Sequence, residues 1–490
     1  MEDTNQPEQD QPPPQMSDER RPPASTAAAP QSTGGRLART ERSARARPAG
    51  LHAGRAPGAL PVLGHLPQLM TDPWAFLRRL PEHGDLVTVM IGPEPVHMLC
   101  DPLLLHHVLV DDRRFDKGGP LFDKAREVLG DGLATCPHAA HRRLRRLVQP
   151  AFHPSRMPGY AQMMGQQITE VTSTWHDGQV IDVHGQMHAI AAGVATTTMF
   201  STRIDPRQVA ATRRSVQIAM SGIYRRLLTP DGLQRLPLPA NRSYDKARLL
   251  LHRTVEDLVA RAMDQTDTDH GDLLSTLLAA GDRPDGLSRI EITEQVVTFF
   301  VSGVTSITSA LAWTLHLLTR HPERAEQIYQ EADQVLTGRS AAADDWPRLE
   351  RTRRFVTETM RLYPPGWIFT RKVTEEAHLA GRTLPAGSTL AFSPYLLHHR
   401  PDLFPHPEQF DPDRFSPERT AHIPPHAYVP FGAGPRKCIG ETFTLMQSTL
   451  ALATIAARWR LHPIPGQRVR PAIRATLVPR KLHLRLETRL

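Results

Sequence analysis

The sequence predicts a mainly helical protein with a smaller β portion, folded as a single large domain. Apolar residues recur three and four positions apart in several segments of residues 102–365, which is the pattern of helices that bury one face. Short alternating runs such as LVTVMIG and VHMLC precede those segments, and strand-like runs return after them. No internal repeat divides the chain, so one domain accounts for most of its 490 residues.

The first part of the chain is predicted to stay outside that domain. Residues 1–56 are rich in Pro, Ala and Arg and have almost no aromatic or β-branched side chains to offset the entropy of ordering. We therefore expect a disordered tail there and a folded catalytic domain over residues 57–490. The arginines of the tail supply much of the net charge of +8, but an isolated basic tail is usually solvated, so no nucleic-acid partner is expected.

The chain shows no pattern typical of an exported protein. It opens without the apolar run of a signal peptide, and its acidic start argues against a transit peptide. Its three cysteines, Cys100, Cys136 and Cys438, do not suggest a disulfide framework. We expect a cytoplasmic protein and a monomer.

One apolar segment, residues 296–319, has about the length of a membrane span and carries no formal charge. His316, the many Ser and Thr residues, and the charged residues Glu294 and Arg320 that flank it fit a buried helix better. We therefore expect a core helix and no transmembrane anchor.

The most informative segment is FGAGPRKCIG at residues 431–440, which a helical pattern follows at once. A cysteine in a glycine-rich loop ahead of a helix lies where backbone N–H groups and the helix dipole favour the thiolate. The glycines let the backbone approach a flat, bulky group, and Arg436 and Lys437 bring positive charge for the thiolate or for ligand carboxylates. A phosphate-binding loop is excluded because Lys437 is not followed by Ser or Thr.

The same loop matches in full the haem-binding signature F-x-x-G-x-R-x-C-x-G of the cytochrome P450 family, at Phe431, Gly434, Arg436, Cys438 and Gly440. The resemblance implies a cytochrome P450 fold with haem b as cofactor. It further implies that Cys438 is the axial thiolate of the iron, that Phe431 packs beneath the haem, and that Arg436 bonds a propionate. Electron donation from the sulfur favours O–O cleavage.

Two further motifs stand in the order that the family has. ETMRLYPP provides Glu358 and Arg361, and PDRF provides Arg414, both before the cysteine loop. The resemblance implies that these three side chains form a buried charge network with a structural role.

Other positions resemble those with which the family holds the haem propionates. They are His141 and Arg145 in HRRLRRLVQPAF, and Arg371 in WIFTRKV. The neighbouring arginines of HRRLRRLVQPAF are interpreted singly as a solvated helix face. Together they would suit the docking of an acidic redox partner.

The long apolar helix departs from the family pattern Ala/Gly-Gly-x-Asp/Glu-Thr. Aligned on Gly303, this chain has Ser302, Val304, Thr305 and Ser306, so the carboxylate is missing and Ser replaces Thr. Gly303 still widens the helix groove for dioxygen. The common acid–alcohol pair is absent, so we expect Thr305 and Ser306 to carry protons through ordered water.

The resemblance covers nearly all of residues 57–490 and implies a monooxygenase that uses O2, two electrons and two protons to oxidise a C–H bond. No fused reductase pattern is present, so a separate ferredoxin and its reductase are the expected electron donors. The segments FDKGGPLFDKAREVLGDGLATCPHAAHRRL and RLPLPANRSYDKA resemble bacterial sesquiterpene oxidases, which favours a cyclic terpene substrate in secondary metabolism, as in antibiotic biosynthesis. A macrolide or other polyketide hydroxylase and a non-catalytic haem-binding gas sensor stay open as alternatives.

Five apolar side chains are candidates for the wall of a substrate pocket, and plain core packing explains each of them equally well. These are Phe122, Phe299, Phe300, Val304 and Ile368.

Overall fold

The computed structural model describes residues 50–200, 206–227, 229, 231–264, 271–281, 283–473 and 476–489. Nearly all of the predicted tail, residues 1–49, therefore lies outside the described residues.

The described residues form seventeen α-helices. They are α1 (Leu66–Thr71), α2 (Pro73–Arg79), α3 (Pro102–Val110), α4 (Pro120–Leu129), α5 (His138–Val148), α6 (Met157–Thr172), α7 (Val183–Met199), α8 (Pro206–Leu227), α9 (Asp231–Gln234), α10 (Pro239–Asp264), α11 (Leu273–Gly281), α12 (Arg289–Arg320), α13 (Pro322–Leu336), α14 (Glu350–Leu362), α15 (Pro394–His398), α16 (Pro417–Thr420) and α17 (Glu441–Arg458).

Thirteen strands complete the described part of the chain. They are β1 (Ala53–Arg55), β2 (Leu86–Ile91), β3 (Glu94–Leu99), β4 (Phe115–Asp116), β5 (Val180–Asp182), β6 (Phe369–Val373), β7 (Ala377–Leu379), β8 (Arg382–Leu384), β9 (Thr389–Phe392), β10 (Trp459–Pro463), β11 (Arg470–Ile473), β12 (Leu477–Arg480) and β13 (His483–Thr488). The largest sheet has the order β1-β2-β3-β9-β6-β4, and a smaller one has the order β10-β13-β5. The pairs β11-β12 and β7-β8 stand apart from both. The prediction of a mainly helical protein with a smaller β portion is confirmed.

The folded domain begins slightly before residue 57, where the sequence analysis placed it. Strand β1 pairs in parallel with β2, with Ala53 opposite Leu86. The backbone N–H of His52 donates to the Asp85 carboxylate at 3.1 Å. Backbone pairing holds these residues although they bring few apolar side chains, which is why composition alone misplaced the boundary.

Helix α12 is the central helix of the fold. It begins with a capping box in which Ser288 and Glu291 satisfy each other's backbone N–H groups. Its most apolar window is long enough to span a membrane, yet 78% of that window is buried inside the protein. It packs against α7, α10, α14 and α17. The prediction of a core helix is therefore confirmed.

A buried charge network joins α14 to the segment before the cysteine loop. Arg361 donates to both carboxylate oxygens of Glu358 at 2.8 Å, and both side chains are fully buried. Arg414 lies 3.4 Å from the same carboxylate. Arg361 also donates to the carbonyl of His398 at 2.8 Å, which ties the network to the neighbouring backbone. The predicted network is present.

Candidate active site

A cavity of about 420 Å³ lies between α4, α5, α7, α12, α17 and strand β6. The loop before α17 forms one wall of it. The residues predicted to hold the haem or to serve catalysis all line this cavity, namely His141, Arg145, Gly303, Thr305, Ser306, Arg371, Phe431, Arg436 and Cys438. The fold thus brings together positions that lie almost three hundred residues apart in the sequence.

The cysteine loop is closed by its own backbone. The N–H of Cys438 donates to the carbonyl of Phe431 at 2.9 Å, and the N–H of Lys437 donates to that of Gly434 at 3.1 Å. Gly434 has a φ of +67°, and a Cβ there would lie 2.2 Å from the carbonyl oxygen of Leu109. Glycine is therefore required at this position both for its conformation and for the close approach of α3.

Cys438 lines the cavity and is accessible through it. Burial raises the pKa of its thiol, and the backbone N–H of Gly440, which lowers this pKa, does not compensate. The expectation that the loop and the helix dipole favour the thiolate stays a prediction. A cation bound to the sulfur, such as the iron of a haem, would favour the thiolate against this desolvation.

Positive side chains crowd one side of the cavity, and the sequence analysis missed one of them. Lys117 lines the cavity and donates to the carbonyl of Ala134 at 2.8 Å. Burial and the charges of Arg371 and Arg436 lower the pKa of Lys117 to about 7. Burial and the charges of Arg436 and Lys117 lower the pKa of His141 to about 3, so this imidazole is neutral. Lys117 stands in FDKGG, a segment used above only for its resemblance to terpene oxidases.

Arg371 is the least compensated of these cations. It is buried, and burial together with the charge of Arg436 lowers its pKa to about 10. It donates to the carbonyl of Thr370 at 2.9 Å, but its Nε has no hydrogen-bond partner among the described residues. A buried cation without a partner is costly, so the site calls for an anion. The carboxylates of the implied haem would meet this need, and the residues present therefore fit that cofactor.

Arg436 is held by protein groups to a larger extent than the sequence suggested. Its Nε donates to Asp112 at 2.7 Å, and its other nitrogens donate to Asp116 at 2.6 Å and to the carbonyl of Cys136 at 2.9 Å. Few of its five N–H donors remain for a ligand. Its assignment to a propionate stays a prediction, whereas its ion pairs with the two aspartates are direct contacts.

Arg145 contacts the cysteine loop. It donates to the carbonyl of Lys437 at 2.6 Å and lies 3.4 Å from that of Pro435. One guanidinium thus holds the backbone next to Cys438, a role that the motif alone did not indicate. Binding of a propionate by Arg145 and His141 stays a prediction.

Thr305 and Ser306 of α12 line the cavity. Thr305 donates to the carbonyl of Val301 at 2.8 Å, and Ser306 donates to that of Ser302 at 2.7 Å. Both hydroxyl protons are therefore used within the helix, and the oxygens can accept hydrogen bonds from water. A Cβ at Gly303 would meet nothing within 4 Å, so the helix leaves open space there.

The candidate pocket residues divide into two groups. Phe122, Phe299 and Ile368 line the cavity, but Phe300 and Val304 do not. Phe300 and Val304 are buried and pack in the hydrophobic core. The helical period places them on the face of α12 opposite the cavity, so core packing is the correct interpretation for these two.

Comparison with known proteins agrees with this geometry. The family model described as Cytochrome P450 matches residues 55–485. Cyclooctat-9-en-7-ol 5-monooxygenase of Streptomyces melanosporofaciens is 44% identical over 417 residues, which cover 84% of this chain and 90% of that protein. Pentalenene oxygenase of Streptomyces avermitilis is 42% identical over 439 residues, which cover 89% and 98%.

A solved structure is similar over the same extent. The crystal structure of the cytochrome P450DA haem domain matches with a TM-score of 0.81 and 27% identity, covering 90% of this chain and 98% of that one. The cysteine loop, the cations around the cavity and the extent of these matches lead to one conclusion. This chain belongs to the cytochrome P450 family and is a haem-dependent monooxygenase.

Proposed function

We propose that this enzyme hydroxylates an unactivated C–H bond of a cyclic terpene. The observation that carries the proposal is the apolar character of the cavity wall that α4, α7, α8 and α11 form. None of the described lining residues from α4, α7, α8 and α11 is charged. They are Leu121, Phe122, Ala125, Leu129, Ala191, Ala195, Thr198, Met199, Met220, Ile223 and Leu273. The names of the two Streptomyces relatives, which concern terpene skeletons, support the same substrate class.

This wall disfavours the two alternatives. A macrolide or similar polyketide carries many hydroxyl and carbonyl groups, and burying these without partners is unfavourable. Within the described residues this wall offers Thr198 as its one polar side chain. A gas sensor needs no extended apolar wall for a diatomic ligand, whereas α4, α7, α8 and α11 give this cavity such a wall.

The residues of the chain have separable roles in the proposed reaction. Bound haem supplies the activation of O2, with electron density donated by its thiolate ligand. Cys438 would hold the iron, and Arg371, Lys117 and His141 would hold the propionates. The apolar wall positions the substrate and excludes bulk water. Ser306 and Thr305 hold the water through which protons enter.

Substrate class is tested with purified haem-loaded enzyme, a surrogate ferredoxin and ferredoxin reductase, and NADPH. We expect cyclic sesquiterpene or diterpene hydrocarbons and alcohols to displace water from the iron, seen as a spectral shift, and to yield hydroxylated products. Turnover of macrolide aglycones without turnover of any terpene would refute the proposal. NADPH consumption that never yields an oxidised organic product would support the sensor.

The hydroxyl relay is tested by Ser306→Ala. We expect more hydrogen peroxide per NADPH because the oxygen that accepts from the delivering water is lost. Thr308→Val is the matched control, since Thr308 lies on the same helix, bonds the carbonyl of Val304 at 2.6 Å and does not line the cavity. If Ser306→Ala and a Thr305→Val/Ser306→Ala double variant both couple like the wild type, the relay is wrong.

We further propose that the enzyme is a cytoplasmic monomer that receives electrons from a ferredoxin. The arginines of α5 are not all available for docking such a partner. Arg143 is paired with Glu291, and Arg146 is paired with Asp285. Arg142 is exposed and is the arginine to test. Arg142→Glu should raise the ferredoxin concentration needed for half-maximal turnover and should leave substrate binding unchanged.

A further inference from the structure

The loop between α4 and α5, residues 130–137, forms part of the cavity wall and packs on α12. Leu133 of this loop lines the cavity, as does Leu129 at the end of α4. The loop lies so close to α12 that a Cβ at Gly132 would lie 2.1 Å from the Oγ1 of Thr298. The glycine therefore lets the loop backbone reach the helix.

The backbone N–H of Leu133 has its acceptor on α12. It donates to Oε1 of Gln295 at 2.9 Å, and the two residues are 162 positions apart in the sequence. Leu133 is buried, so its N–H requires an acceptor within the protein. Among the described residues the Gln295 amide oxygen is the one acceptor that it has.

Gln295 has none of the roles given above. Its side chain is fully buried and does not line the cavity, and its Nε2 has no hydrogen-bond partner among the described residues. A methionine of similar size would bury no donor without a partner. The amide is therefore unfavourable for the packing of α12 alone, and what it contributes is the acceptor for the loop.

Other contacts hold the loop at other points. Thr298, three residues further along α12, donates its hydroxyl to the carbonyl of Leu129 at 3.3 Å. Lys117 donates to the carbonyl of Ala134 at 2.8 Å. The bond from Gln295 is the one that fixes the backbone N–H of Leu133, a residue whose side chain lines the cavity.

We propose that Gln295 is a specificity-determining positioning residue: through the N–H of Leu133 it fixes the loop that lines the substrate cavity, and thereby sets which carbon of the substrate is oxidised. Gln295 acts without touching the substrate. An apolar wall orients a ligand by shape, because it offers few directional hydrogen bonds. A displacement of about 1 Å in a group that positions the substrate changes rates by as much as about a hundredfold.

This inference rests on the proposed terpene hydroxylation for the choice of substrate, whereas the fixing of the loop does not depend on it. The first test therefore uses no substrate. It measures amide hydrogen exchange at single-residue resolution in the haem-loaded enzyme. The Leu133 amide should be protected in the wild type and should exchange roughly tenfold faster in Gln295→Met, because one hydrogen bond is lost.

Gln295→Glu keeps an acceptor oxygen at the same place, so its Leu133 amide should exchange nearly as slowly as that of the wild type. Equal exchange of this amide in Gln295→Met and in the wild type overturns the inference. Free exchange of the amide in the wild type overturns it as well, whether or not the variants fold.

The second test measures specificity with valencene, a cyclic sesquiterpene hydrocarbon. Gln295→Met should change the ratio of the oxidised products several-fold, and Gln295→Glu should restore the ratio of the wild type. A ratio that Gln295→Met leaves unchanged overturns the inference.

A pair of probes keeps this test independent of the proposed function. 1-Phenylimidazole and 4-phenylimidazole are isomers that bind the haem iron through a ring nitrogen and direct the phenyl ring differently. If no terpene is oxidised, the proposed function fails, and the ratio of the two dissociation constants then reads the shape of the wall. Gln295→Met should change this ratio, and an unchanged ratio overturns the inference.

Thr314→Val is the matched control. Thr314 is a fully buried polar residue of the same helix, donates to the carbonyl of Ala310 at 2.8 Å and does not line the cavity. Its variant should keep the Leu133 exchange and the ratios of the wild type. Equal changes in Gln295→Met and Thr314→Val would show a general effect on α12 and would overturn the inference.

Discussion

The buried charges around Glu358 and those around the cavity differ in how far the chain itself neutralises them. Glu358 receives two hydrogen bonds from Arg361, one from the backbone N–H of Asp411 at 3.0 Å, and the charge of Arg414 nearby. Around the cavity, Arg371 and Lys117 bond to neutral carbonyl groups.

The two groups of buried charges therefore have different roles, one in the fold and the other in ligand binding. A buried ion pair that is complete within the chain stabilises one arrangement of the elements it joins, and removal of one partner is strongly destabilising. A buried cluster with excess charge of one sign is unfavourable until a ligand of opposite charge arrives. The Glu358 network is therefore part of the fold, whereas the cavity cations form a site prepared for an anionic cofactor.

The largest expected effect on function comes from the thiol at the cavity. Cys438→Ser should abolish the ferrous–CO spectrum of a haem thiolate and abolish monooxygenation, because a serine oxygen is a poor replacement for the electron-rich sulfur. Spectroscopy and product analysis measure this directly. Cys100→Ala, at a buried cysteine that does not line the cavity, should retain both properties. An unchanged ferrous–CO spectrum in Cys438→Ser would refute the assignment.

The largest expected effect on stability comes from the closed network. Glu358→Ala leaves Arg361 fully buried without its counter-ion and should lower the free energy of unfolding by about 3–5 kcal/mol. Glu375→Ala is the control, because Glu375 pairs with Arg114 at the surface and should cost less than about 1 kcal/mol. Chemical denaturation measures both. If Glu358→Ala lowers the free energy of unfolding no more than Glu375→Ala does, the Glu358 network does not have the structural role assigned to it.

Arg371→Met should not lower the stability of the haem-free protein, in contrast to Glu358→Ala. It removes an uncompensated buried cation, so the haem-free protein should be as stable as the wild type or more stable. It also removes a charged hydrogen-bond donor to the cofactor, worth about 1.5–3 kcal/mol, so haem loss should be faster by roughly tenfold or more. Transfer of haem to excess apomyoglobin gives the rate. Arg324→Met, which breaks a pair with Asp413 away from the cavity, should leave that rate unchanged.

A further expected effect is a pH dependence of the haem-free protein. Burial, Arg371 and Arg436 lower the pKa of Lys117 from 10.5 to about 7. Between these values the unfolded chain binds more protons than the folded chain, so stability should rise with pH from about 7 to about 10.5. The destabilisation is fully present below pH 7. Lys117→Met should remove this rise, which denaturation at several pH values would show, whereas the exposed Lys246 should be replaceable by Met without effect.

Haem binding should change this pH dependence of stability. An anion beside Lys117 raises its pKa again, so the rise of stability above pH 7 should be weaker in the haem-loaded protein. An identical pH dependence with and without haem would indicate that Lys117 does not face the cofactor's carboxylates.

The sequence by itself determined the centre of the site. The cysteine loop is a run of ten contiguous residues whose glycines and backbone hydrogen bonds close it locally, so its motif is readable without the fold. The helical period of α12 likewise places Gly303 and Ser306 three residues apart on one face.

Only the tertiary structure decided which groups complete that site. Asp112 and Arg436 are separated by 324 positions in the sequence, and no pattern in either segment predicts their ion pair. Lys117 is an ordinary residue in its own segment, and the sequence analysis assigned it no role. It acquires one because packing places it in the wall of the cavity and close to the charges of Arg371 and Arg436. The burial of a residue and its hydrogen-bond and charge partners depend on the other elements that pack against it. A local sequence pattern does not contain this information.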